Sequence, residues 1–359
     1  MTLEAFHVRE EDTVRVDEGA LRQMTHDVIA KMGVPSADAE LAADVLVTAD
    51  VRGHESHGVS NMLRAYVTGF GNGQINPRPN WEIVRARPST ATIDCDRGLG
   101  IIVGPKAMQL AIDKARQAGM GVVSLGNGQH IGMAQYHAML ALPHDMIGVC
   151  MTATTPVVPP TFGREGRLGT NPIAFAAPAG EEDPFVLDMA TSTIAVNKFR
   201  NAQRNGALLP PGTFARPDGT PVMEPALLPD EYLPLPLGTS REMGSHKGYG
   251  LACMVEILCS ILSGSGFAAR NGPGFYQHMV AAYSIDAFID VPEFKDTMDD
   301  FLRTLKATKP AAGHDRVLVP GQPEVEATIE NRAKGIPLHR EVVESLRDMC
   351  DTLDVAFGL

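Results

Sequence analysis

Nine residues, Asp50-Val51-Arg52-Gly53-His54-Glu55-Ser56-His57-Gly58, place two imidazoles, a hydroxyl, a guanidinium and two carboxylates together before the stretch stops at a glycine. Each buried charge or unpaired polar group loses hydration, so such a density in a segment that must also pack is costly, and a reactive site is one reason to keep it. Imidazole changes charge near neutral pH and suits proton transfer. His54 and His57 are three apart and on a helix would share a face, which also admits a metal, although no third ligand stands out. Acid/base catalysis and a metal hydrolase are therefore both open.

The flanking periodicity says what positions the cluster. Apolar residues from Asp17 to Gly33 (Leu21, Met24, Val28, Ile29, Met32) predict one helix. Ser36 is placed to cap a second, running through Leu41, Val45 and Leu46 into the polar stretch. A third series, Val59, Met62, Leu63, Tyr66, Val67 and Phe70, follows Gly58, so the cluster sits at the joint of two helices in a helical lobe over residues 1–75. The loop from Gly71 to Pro79 marks a boundary. After it, strands are expected at 81–84, 91–94, 121–125, 146–151, 173–177 and 185–187, with helices ending near Gly119 and spanning 133–140, which predicts a mixed α/β lobe to residue 240. Gly206 to Leu237 reads as surface wrapping or a cleft cover. The last part, 241–359, carries an apolar helix over 247–262, a strand at 279–285 and helices over 292–305, 323–334 and 340–353.

The composition is that of a folded protein, with 44% hydrophobic and 21% charged residues among 359. A net charge of −12 disfavours nucleic acid and anionic membranes as partners. Five scattered cysteines without a Cys-x-x-Cys pair predict reduced thiols rather than a disulfide frame or a zinc site. The acidic opening, Met1 to Asp12, and the lack of a long apolar run predict a cytoplasmic protein.

Other segments offer two readings each. Gly98-Leu99-Gly100-Ile101-Ile102-Val103-Gly104 imitates a dinucleotide fingerprint, but one residue too many precedes its third glycine, and Gly126-Asn127-Gly128 stands where a ribose-binding acid is wanted. His130 follows that loop and is either a mounted site residue or a satisfied polar one. Asp188 ends an apolar strand and could cap a helix. Lys247 opens an apolar helix, where a cation is disfavoured unless an anion joins it, although a solvated lysine is equally natural. Gly321 could simply break a turn.

Together, five segments resemble the malate/L-lactate dehydrogenase family, which includes ureidoglycolate dehydrogenases, diketogulonate reductases and imine-acid reductases. They are Arg52-Gly53-His54-Glu55-Ser56-His57-Gly58, Gly126-Asn127-x-x-His130-x-Gly132, Gly169-Thr170-Asn171-Pro172-Ile173-Ala174-Phe175-Ala176, Leu187-Asp188-Met189-Ala190-Thr191-Ser192 and Lys247-Gly248-Tyr249-Gly250, in the family's order across most of the chain. The resemblance implies a non-Rossmann α/β (α+β) fold with a largely antiparallel central sheet, a homodimer, and NAD or NADP as cofactor. It implies interconversion of a small 2-hydroxy acid and a 2-oxo acid, or a related imine. The family's acid/base histidine falls on His57 with Ser56 beside it, and its second active-site histidine on His130. Its cofactor contacts map onto Thr154, Asp188, Met189, Ala190, His246, Lys247 and Gly321.

Residue chemistry is compatible with that activity: reducing a ketone moves hydride to carbon and a proton to oxygen, and a histidine near the carbonyl also stabilises the developing alkoxide. The chain departs from the family where many members carry a carboxylate-binding arginine, here Asn61. Arg64, two turns from His57, and Arg52 are the alternative substrate cations. Thr152-Ala153, Phe162-Gly163 and Asn197-Lys198 also differ from the family's Thr-Asn, Gly-Gly and Gly-Lys. Asn61 and Ala153 leave room for a non-catalytic relative that binds an acid or nucleotide.

Overall fold

A computed structural model describes residues 6–274 and 276–359, so Met1–Ala5 of the acidic opening lie outside the described residues. The chain begins with β1 (Thr13–Val16), α1 (Glu18–Lys31), α2 (Ser36–Val51) and α3 (Val59–Gly71). Asp17 caps α1 by accepting from the Ala20 N–H at 2.9 Å. Ser36 does not cap α2, because Pro35 occupies that position, and its hydroxyl meets His26 Nε2 at 3.1 Å instead. Leu21, Met24, Leu46, Leu63 and Tyr66 pack into one core with Leu338, Leu346 and Met349 from the far end of the chain. Burying each such side chain contributes roughly 1.5–3 kcal/mol.

The central region runs β2 (Glu82–Ala86), β3 (Thr90–Asp94), α4 (Gly100–Ala118), β4 (Met120–Gly128), α5 (Ala134–Met139), β5 (Met146–Ala153), β6 (Ile173–Ala177) and β7 (Phe185–Met189). Then come α6 (Val196–Arg204), β8 (Phe214–Ala215), β9 (Leu233–Pro234), α7 (Ser245–Glu256), α8 (Ala268–Asn271), β10 (Tyr276–Ser284), α9 (Val291–Lys306), α10 (Gln322–Lys334), β11 (Ile336–His339) and α11 (Arg340–Leu353). The main sheet has the order β2-β3-β4-β10-β5-β6-β7. Its pairs are antiparallel except β3–β4, which α4 connects. This is the mixed α/β fold with a largely antiparallel centre that the resemblance implied.

The glycine-rich imitation of a fingerprint serves packing. A Cβ on Gly100 would lie 2.5 Å from the Gln129 carbonyl, and one on Gly104 would lie 2.8 Å from the His137 ring. These glycines let α4 approach the loop after β4, while Met108, Ala111, Ile112 and Ala115 bury its apolar face on the sheet.

Two features were not legible in the sequence. β1 pairs with β11 across nearly the whole chain, in strands too short to announce themselves. α6 escaped because only Phe199 and Ala202 form its buried apolar stripe, packed with Phe6, Leu209 and Phe214. The stretch from Gly206 to Leu237 wraps this helix and holds the β8–β9 pair. The helix expected over 247–262 breaks at Glu256 into a π-helical turn, Ile257–Ile261. All five cysteines are unpaired. Among the described residues, no helix is long and apolar enough to cross a membrane.

Candidate active site

After α2 ends, Gly53 takes φ +75° and the chain makes one tight turn, Glu55–His57, before α3. Asp50 secures this turn: its Oδ2 accepts from the Val59 N–H at 2.7 Å, capping α3 from the preceding helix. The carboxyl lies against Gly58 so closely that a Cβ there would fall 1.9 Å from Oδ1. Burial raises the Asp50 pKa well above the usual carboxylate range, against the Val59 hydrogen bond. Asn331 ties down the end of α2 through the Val51 carbonyl at 3.0 Å. Asn197 holds the Ser56 carbonyl at 2.6 Å.

On this turn the Ser56 hydroxyl meets His57 Nδ1 at 2.9 Å. The His57 ring lies 5.8 Å from that of His130, with the planes 12° apart. Both residues keep partial solvent access. His130 is supplied by the loop after β4, and its Nδ1 accepts the Gly132 N–H at 3.2 Å. The Tyr66 hydroxyl, 2.7 Å from the same nitrogen, must also donate, which leaves the His130 proton on Nε2. Tyr276 packs edge-on against the ring at 5.5 Å. Desolvation, then the neighbouring His54 and Lys198, pushes His57 down to about 4. Desolvation, then His57 and His278, holds His130 well below its ordinary value. Both imidazoles are thus neutral at pH 7, each with one ring nitrogen able to accept a proton and the other able to donate a hydrogen bond.

A second network borders the first. Arg52 Nε donates to Gln135 Oε1 at 3.1 Å, Gln135 Nε2 lies 2.6 Å from His54 Nε2, and Glu324 Oε1 is 3.3 Å from the same nitrogen. His54 is therefore a partner of Glu324 and Gln135. Burial pushes the Glu324 carboxyl upward, but the His54 hydrogen bond and charge hold it below its usual value. Asp188 does not cap a helix of its own: its Oδ2 accepts the Gln135 N–H at 2.9 Å, in the first turn of α5 across the fold. Burial raises the Asp188 pKa, opposed by His54 and that hydrogen bond. Met189 pairs with Ile173 at the end of β7, and Ala190 follows it.

The other candidate cofactor residues lie elsewhere on the sheet's rim. The Thr154 N–H binds Asn171 Oδ1 at 3.0 Å, just after β5. His246 and Lys247 are exposed in the first turn of α7, whose N-cap, Gly244, has no side chain to cap it. The Ser245 N–H binds the Ser240 carbonyl and the Lys247 N–H the Gly244 carbonyl, both at 2.8 Å, so what this helix start offers an anionic cofactor is chiefly the exposed side chains of His246 and Lys247. Gly321 has φ +96°, where a Cβ would come within 3.1 Å of Val186, so it is needed for α10 to start against β7.

Arg64 is not brought to the imidazoles. Its guanidinium donates to the Ser345 carbonyl at 2.9 Å and to that serine's hydroxyl, in a cleft against α11 that Asn61 also lines. Asn61 links the Glu55 carbonyl at 2.8 Å to Asn201 Oδ1 at 3.1 Å. Arg204 Nη1 lies 3.3 Å from Glu55 Oε1, yet burial pushes Glu55 up to about 7. Asn201 and Arg204 of α6, with Gln135, Tyr66 and Glu324, are the residues that sequence reasoning missed, and Lys198 was noted there only within a departure from the family's Gly-Lys. For the residues of α6 the only signal was a helix polar on nearly every face, which becomes meaningful once that face lines a cavity. That cavity, of about 220 Å³, is bordered by Arg52, His54, Ser56, Lys198, Asn201 and Glu324 among others. Among the described residues, no three His, Cys, Asp or Glu side chains are grouped to hold a metal ion.

A family model described as malate/L-lactate dehydrogenase matches residues 16–347. The chain is 39% identical over 354 residues to a malate dehydrogenase of Pyrococcus horikoshii, covering 96% of this chain and 97% of that protein. It is 38% identical over 338 residues to an L-sulfolactate dehydrogenase of Methanocaldococcus jannaschii, covering 92% and 95%. The solved structure of malate dehydrogenase from Pyrococcus horikoshii OT3 superposes with a TM-score of 0.90 at 35% identity, covering 98% of both chains.

Proposed function

The chain belongs to the malate/L-lactate dehydrogenase family of oxidoreductases acting on CH–OH groups, and we propose that it interconverts a small 2-hydroxy acid and its 2-oxo acid with His57 as acid/base. The observation that carries this reading is the near-parallel pair His57 and His130, brought from two separate elements and both neutral. A bound nicotinamide dinucleotide, NAD or NADP, supplies or accepts the hydride. His57 exchanges the proton with the substrate oxygen, and Ser56 fixes its ring through Nδ1. His130, with its proton held on Nε2 by Tyr66 and Gly132, donates a hydrogen bond that stabilises the alkoxide. Asp188, Met189, Ala190, Thr154, His246, Lys247 and Gly321 are the residues we assign to the cofactor, and the exposed Lys247 at the start of α7 supports an anionic group there.

In this reading the lobe 1–75 carries the acid/base pair, 76–240 the cofactor surface, and 241–359 closes the site. Malate and sulfolactate, named for the similar proteins, are the first substrates to try. Unpaired cysteines fit a reducing compartment and support a cytoplasmic setting. The exposed apolar run Met254, Ile257, Ile261 and Leu262 on one helix supports a homodimer. The test is fluorescence titration with NADH and NADPH, then a panel of 2-oxo acids followed by loss of reduced-nicotinamide absorbance. Tight binding with turnover of at least one acid is expected, and binding without any turnover would make the chain a non-catalytic relative.

A further inference from the structure

The cavity beside Ser56 contains two cationic side chains whose binding capacity is not filled by the protein. Arg52 Nη2 is buried with no hydrogen-bond partner among the described residues, although Nε of the same group is held by Gln135. Lys198 has no ion pair within 4.0 Å among the described residues, and its Nζ lies 5.6 Å from the Phe6 ring centroid. The carboxylates facing them are already engaged: Glu324 by His54 at 3.3 Å, and Asp188 by the Gln135 N–H at 2.9 Å. Glu55 is paired with Arg204 at 3.3 Å. A buried guanidinium nitrogen left without an acceptor is costly, and a desolvated ammonium more so, unless a ligand completes them. Burial already lowers the Lys198 pKa against the pull of Glu324 and Asp188, as expected of a cation short of an acceptor.

We propose that this cavity is an anion-binding subsite in which Arg52 and Lys198 jointly hold an oxyanion of a small ligand. Its position beside Ser56, and its volume of about 220 Å³, suit the second acidic group of a compact diacid. That assignment rests on the hydroxy-acid reading above, whereas the subsite itself does not. The same chemistry would accept a phosphate of the dinucleotide. Either source explains why α6 turns a lysine inward, and the diacid source explains how a chain with Asn61 in place of an arginine still captures its substrate.

The test uses the full chain, with Lys198→Met and Lys198→Arg variants, and the non-reacting diacid malonate as calorimetric probe. Lys198→Met should weaken malonate binding by about ten- to a hundredfold, the loss of one charge-assisted contact, and Lys198→Arg should recover most of it. Acetate, lacking the second carboxylate, should bind all forms about equally weakly. If Lys198→Met instead weakens NADH and NADPH binding and spares malonate, the oxyanion is the cofactor's phosphate. Unchanged affinity for malonate and for both cofactors, in a variant whose melting is unaltered, would overturn the subsite. Because these are binding measurements, they separate its failure from a failure to find turnover.

Discussion

The imidazole planes of His57 and His130 run 12° from parallel with centroids 5.8 Å apart, although one ring stands on a turn between two helices and the other on a loop after a central strand. Tyr66, on the helix that follows the turn, reaches across to His130 Nδ1 and couples the two supports. The relative placement of the rings therefore depends on how α3 docks against the sheet, and the chemistry depends on the rings.

Replacing His57 by Ala removes the proposed proton carrier. Turnover should fall by about a hundred- to ten-thousandfold, the range for losing a positioned acid/base group. Binding of the reduced cofactor, followed by fluorescence, should stay within about twofold; an unchanged rate would remove His57 from the mechanism.

Tyr66→Phe deletes the hydroxyl that donates to His130 Nδ1. That hydrogen bond favours the neutral ring, so its loss should raise the His130 pKa and loosen the tautomer. Nitrogen NMR of the ring should register the change, and kcat should drop by roughly tenfold. If spectrum and rate are both unaltered, Tyr66 has no part in orienting the ring.

Glu55 is held at about 7 by burial, well above its ordinary value of 4.5. Between those values the folded chain keeps a proton that the unfolded chain releases, so Glu55 costs stability as pH rises through the window. Glu55→Gln removes the cost. Its unfolding free energy relative to the parent should improve by about 3 kcal/mol between pH 4.5 and pH 7.5, by denaturant melts at each pH. A difference independent of pH would contradict this.

The Asp50 cap predicts opposite outcomes for two substitutions. Asp50→Asn keeps an acceptor for the Val59 N–H and should change stability by less than about 1 kcal/mol. Gly58→Ala would force a Cβ into the Asp50 carboxyl, and should cost about 2 kcal/mol or more while misplacing His57. Thermal melts and kcat measured together distinguish the pair.

Arg64→Ala tests a cation that the chain order puts near the site and the fold turns toward Ser345. The Michaelis constant should change less than about twofold, with a stability loss of about 1 kcal/mol. A tenfold rise would return Arg64 to the substrate.

The helix periods, the polar joint at residues 50–58 and the glycine at 58 were readable because each is local: spacing fixes a helical face, and the chain's stops fall at glycine and proline. The ordered motifs likewise pointed to the family before any tertiary contact was known. What the sequence could not determine was which polar groups meet. Asp188 at the end of β7 caps α5, His54 pairs with Glu324 from α10, and α6 brings Lys198 to the cavity that Arg52 also borders. Those pairings depend on β10 entering the middle of the sheet and α10 closing over α2, long-range placements in which the burial of apolar faces sets the distances and the polar side chains inherit them.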